Sequence, residues 1–339
     1  MPNKKTTFVI LFLMSILMLP EARTDMIKDD TLKEKITITS NTNIVVSGKN
    51  MLFSKKGDLL FHQNGQLSKG IIDEELKMET RHGTIMLKKH SRLSFFTNGM
   101  IEECIPESET TLIIRGKDVK FKGNKKIDFH PDGSIRSGTS ASAMNLVLSG
   151  KRITFLPLES VGFHPTGEFH FGYLQESVKM KTRGNTLVFK QNSPMRFNKK
   201  GKIESGFLSD LVLLKIGSYT FPVDDYQEVL FYPNGAIKSI APDQPKDLVI
   251  GKQKMTIAAR RPVTFYKNGK IKSADLEEKT ELKVGQHVFL FLDDELTFYP
   301  NGQIRSGTLA EDISIQKNGA SVEIKKGETI LFDKKGKKE

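Results

Sequence analysis

Nine glycines constrain what this chain can fold into. Gly65, Gly99, Gly133, Gly167, Gly201, Gly235, Gly269, Gly302 and Gly336 stand 34 residues apart, with a single step of 33. Four residues before each stands a phenylalanine: Phe61, Phe95, Phe129, Phe163, Phe197, Phe231, Phe265, Phe298 and Phe332. A fixed period of this length marks a repeat architecture in which each unit contacts mainly its neighbours. That pattern overrides the two ordinary domains that 339 residues would otherwise suggest.

Inside a unit the apolar residues alternate, as short half-buried strands require. Leu93/Phe95, Ile127/Phe129, Val263/Phe265 and Leu296/Phe298 each share one face of a first strand. The turn that follows reads YPNG, HPDG or YKNG, where Pro presets φ and the glycine takes a positive φ. A second strand opens two residues past the glycine, at Leu67, Ile101, Ile135, Phe169, Ile203, Ile237, Ile271 and Ile304. Three residues later comes a column of mostly small side chains, Gly70, Cys104, Gly138, Gly172, Gly206, Ile240, Ala274 and Gly307. The single cysteine is explained there, as a small buried hydrophobe. Two further strands complete the unit, and the nine phenylalanines form its structural core.

These features predict an all-β fold of about nine units of 34 residues, an elongated antiparallel meander of β-hairpins advancing four strands per unit, with a β-solenoid as the alternative. Nine units exceed the usual four to eight blades of a propeller. An apolar fraction of 37% and the absence of Trp fit many thin, half-buried strands.

The amino terminus has a different pattern. Lys4 and Lys5 precede the apolar run Phe8 to Leu19, which Pro20, Glu21 and Ala22 break. That is the layout of a secretory signal peptide over 1–22, followed by a polar leader over 23–35 and a single β-repeat array over 36–339. Export implies a periplasmic, outer-membrane-associated or secreted protein, with the stacked repeats rather than disulfides supplying stability.

FYPNGAIKS at 231–239, FYKNGKIKS at 265–273 and FYPNGQIRSGTL at 298–309 resemble the bacterial variant of the membrane occupation and recognition nexus repeat, with its aromatic, its NG turn and its following strand. The resemblance covers about ten residues of each unit. It implies a β-hairpin array acting as an interaction or membrane-proximal scaffold.

A net charge of +12 attracts anionic partners, and it stays strongly positive without residues 1–22. Acidic polysaccharide, lipid or another envelope protein fit an exported chain, and nucleic acid does not. Next to each core phenylalanine stands a residue expected on the opposite face of the strand, including His130, His164, Tyr232, Tyr266 and Tyr299. This column reads as a ladder of cross-strand contacts, with stacking on sugar rings and metal binding as further readings. Arg136, Lys238, Lys272 and Arg305, three residues past the motif glycine, complete the outer-face candidates. No nucleophile elbow, HExxH, P-loop or dinucleotide motif is present, and the pairs Asp224/Asp225 and Asp293/Asp294 lie between strands. The chain is therefore expected to be non-enzymatic, with no catalytic residue, cofactor or metal. It reads as a repeat scaffold or binding protein of the envelope. The alternative is a carrier that holds a lipid or lipopolysaccharide chain in an open β groove.

Overall fold

The computed structural model describes residues 34–317 and 320–338, so the signal peptide expected over 1–22 and most of the leader lie outside the described residues. Glu34 and Lys35, assigned to that leader, are already strand, because Glu34–Ile36 pairs with Leu59–Phe61. The described residues are all-β. Eighteen strands pair in antiparallel meander order, and eighteen more form nine separate two-stranded hairpins.

The chain divides into two compact units: Leu156–His170 joins the residues up to Met144 in the first, and Asn145–Phe155 joins those from Phe171 onward in the second. In the first unit the meander runs Glu34–Ile36, Leu59–Phe61, Leu67–Ile71, Arg92–Phe95, Ile101–Cys104, Ile127–Phe129, Ile135–Thr139, Ser160–Phe163. In the second, Phe171–Tyr173 pairs with Pro194–Phe197, and the order continues through Ile203–Phe207, Glu228–Phe231, Ile237–Ile240, Val263–Phe265, Ile271–Asp275, Glu295–Phe298, Ile304–Thr308 and Thr329–Leu331.

Each repeat therefore adds two strands to the meander, about 10 Å at the usual strand spacing, rather than the four strands expected from the sequence. The other two strands leave the sheet as a cross hairpin, such as Thr280–Val284 with His287–Phe291. Its alternation explains why. Leu282, Val284, Phe289 and Phe291 are buried, while Glu281, Lys283, His287 and Val288 are exposed. Edge-to-edge pairing of all four strands would leave one whole apolar face in water; turning the hairpin onto the sheet covers both apolar faces at once.

The core lies between these layers. Eight of the nine motif phenylalanines are buried, and Phe61, the first, is half-buried. Rings from the cross hairpins meet them edge-on: Phe121 with Phe163 at 6.5 Å, Phe155 with Phe197 at 6.2 Å, and Phe189 with Phe231 at 6.1 Å. The small-residue column makes room for the cross-hairpin rings. A Cβ on Gly138 would stand 2.6 Å from Phe121, and one on Gly206 2.7 Å from Phe189.

The motif glycines all take positive φ, from 66° at Gly201 to 86° at Gly302. In the Tyr299 turn, the Tyr299 carbonyl accepts the Gly302 N–H at 2.8 Å, and the Tyr299 N–H donates to Gln303 at 2.8 Å. This is a type I turn closed by a left-handed glycine. A β-bulge follows: Phe298 pairs with Ile304 and Thr297 with Ser306, leaving Arg305 as the extra residue.

Candidate functional site

The outer-face column predicted from the sequence proves to be tied into the fold. The Tyr232, Tyr266 and Tyr299 hydroxyls donate to the carbonyls of Phe265, Phe298 and Phe332 at 2.7, 2.7 and 2.8 Å. His130 Nε2 lies 3.0 Å from the Phe163 carbonyl, and His62 Nε2 2.8 Å from that of Phe95. Each such ring is a rung from one sheet hairpin to the next. His164 also stacks on His170, with 4.5 Å between ring centres. Removing one rung should cost about 1 kcal/mol. We expect that loss for Tyr266→Phe in urea unfolding, with the slope unchanged; a loss near zero would show that water replaces the bond.

Arg136, Lys238, Lys272 and Arg305 are exposed and occupy the bulges. Arg136 stands 3.5 Å from Asp128, and the Arg305 guanidinium 5.9 Å from the centre of the Tyr299 ring. Among the described residues, no three His, Cys, Asp or Glu side chains gather as a metal-holding group. Cys104 is fully buried, and burial pushes its thiol pKa far up.

A different group of residues converges where cross-hairpin tips meet sheet turns. Ser149 N–H donates to Gly201 at 3.0 Å and Arg183 N–H to Gly235 at 3.1 Å. Gly217 approaches Gly269 so closely that a Cβ on it would stand 2.7 Å from the Gly269 carbonyl oxygen. Each tip thus docks 52 residues further along the chain. Between two docked tips of the second unit opens a cleft of about 190 Å³, whose wall includes Arg183, Asn185, Lys215, Ala236, Lys267 and Asn268. The Asn185 side chain holds the two tips together, donating to the Lys215 carbonyl at 3.0 Å and accepting its N–H at 3.4 Å.

Arg183, Lys215 and Lys267 are exposed, and among the described residues none forms an ion pair. The Lys267 ammonium lies 5.9 Å from the centre of the Tyr232 ring. Elsewhere in this unit some cations find acids, as Lys190 does with Asp225 at 2.5 Å and Arg196 with Glu228 at 3.7 Å, while others, such as Lys181 and Lys283, also form no ion pair among the described residues; what marks these three is that they share one concave wall. Three uncompensated cations around a concave wall make a field that an anion can neutralise. The sequence reading missed them because a 52-residue docking offset is not a multiple of the 34-residue period, so Arg183, Lys215 and Lys267 fall in unrelated columns.

Comparison of the sequence with protein families and with curated proteins returned no match.

Proposed function

We propose that this protein is an exported, non-enzymatic repeat scaffold of the cell envelope that binds an acidic polysaccharide through Arg183, Lys215 and Lys267. The carrying observation is the set of three cations without acidic partners around one cleft. Export is supported by the pattern of Lys4 and Lys5, the apolar run Phe8 to Leu19, and the break at Pro20 to Ala22. In the second unit the space between the layers is filled by rings such as Phe189, Phe265 and Phe298, which favours this reading over carriage of a lipid along an open groove there.

Calorimetric titration with a polyuronate is the test. Binding should weaken steeply from about 0.01 M to about 0.15 M salt, as the screening length falls from about 30 to about 8 Å. The variant carrying Arg183→Ala, Lys215→Ala and Lys267→Ala should bind at least about tenfold more weakly, equivalent to about 1.4 kcal/mol. Absence of binding at the lowest salt would sink the reading, as would an unaffected triple variant.

A further inference from the structure

The first unit holds a counterpart of this cleft 136 residues earlier in the chain, with different chemistry. Lys49, Glu79, Met100 and Asp132 stand where the second unit has Asn185, Lys215, Ala236 and Asn268. Acids thus replace a cation and an amide, and the cleft here is a half-open, largely apolar pocket of about 220 Å³ whose wall includes Val46, Met51, Met78, Phe95, Met100 and Phe129. Met51 and Met78 replace the leucines Leu187 and Leu214 of the later cleft. Unbranched thioethers adapt to a flexible guest better than leucine does. Met100, 47% exposed, is the most solvent-accessible of these apolar lining residues.

The polar groups around the cavity select the guest's charge. Glu79 is held by Thr84 and by Lys77 at 3.0 Å, and its carboxyl is kept below the ordinary range, first by the Thr84 hydrogen bond. Asp132 accepts from the Ser134 hydroxyl at 2.6 Å and lies 3.5 Å from Arg81; these contacts also lower its pKa, the Ser134 hydrogen bond first. Both acids are therefore occupied. Lys49 exerts a longer-range pull on Glu79, yet among the described residues no acid is within ion-pair distance of it, and its nearest partner is the Met78 sulfur at 4.0 Å.

We propose that this cavity binds the alkyl chain of a single-chain anionic amphiphile, with the carboxylate head against Lys49. Size sets the limit: the cavity exceeds the roughly 150 Å³ apolar void that admits benzene and falls short of the roughly 300 Å³ at which drug-sized pockets begin. It has room for one chain and not for a two-chain phospholipid. This site is independent of the cationic cleft, and its apolar selectivity separates the two.

The test is titration of the mature protein with hexanoate, octanoate and decanoate, followed by NMR. Saturable one-to-one binding is expected, tightening roughly fourfold per added methylene until the chain fills the cavity. Lys49→Gln should weaken decanoate by up to about fivefold and leave decanol unchanged. Thr80→Phe, placed to fill the cavity, should abolish both. If that variant does not fold, the chain-length series and Lys49→Gln decide the matter. The proposal is overturned if decanoate does not saturate, if affinity is independent of chain length, or if Lys49→Gln affects decanol and decanoate alike.

Discussion

Gly206→Ile should destabilise the protein by about 3 kcal/mol, the upper end for overpacking, because a Cβ there would stand 2.7 Å from the Phe189 ring. Phe189→Val should cost a similar amount by leaving a cavity, about 2 to 4 kcal/mol. Together the two changes should cost far less than their sum, with a coupling of at least about 2 kcal/mol. The grounds lie in the chain itself. Where the small column holds glycine, at Gly70, Gly138, Gly172, Gly206 and Gly307, the cross hairpin carries Phe53, Phe121, Phe155, Phe189 and Phe291. Where the column holds Cys104, Ile240 or Ala274, the cross hairpin carries Leu87, Val223 or Ile257. Large faces small throughout, so the double variant copies the arrangement of Val223 and Ile240. Chemical denaturation of the four proteins measures the coupling. Simple additivity would mean that the two columns do not fill one shared space.

Phe265→Ala should cost about 3 to 5 kcal/mol. The ring is fully buried and meets Phe221 edge-on at 5.7 Å and 71°. Phe221 provides the ring contact here because the usual cross-hairpin position is taken by Val223. Phe61→Ala is the control: that ring, at the start of the column, is only half-buried, so its loss should cost markedly less. Repeat arrays are held by neighbour contacts, so a lower denaturant slope for Phe265→Ala would report that the units on either side had uncoupled. Equal losses at Phe61 and Phe265 would contradict the layered core described above.

Much of this construction was legible in the sequence. The period, the phenylalanine column, the left-handed glycines and the small-residue column all depend on local backbone geometry or burial, which leave a residue type at a fixed position. The bulge left a subtler trace. Ile304 and Gly307 are both buried although an odd spacing separates them, and strict alternation would put them on opposite faces. The extra residue, Arg305, resolves that conflict. What could not be read was contact between columns. Whether Leu282 and Phe289 pair into the main sheet or fold over it is the same in one unit's pattern of alternation, and only the need to cover both apolar faces decides it. The Tyr266 rung to Phe298 and the docking of Gly217 on Gly269 depend on that decision, and so does the cleft formed by Arg183, Lys215 and Lys267.

The most direct test of the binding account is hydrogen exchange on the protein with and without polyuronate at low salt. Protection is predicted at the cleft backbone, over 183–185, 215–217 and 267–269, with little change at Arg136, Lys238, Lys272 and Arg305. Protection centred on those four bulge residues, or none anywhere, would contradict it.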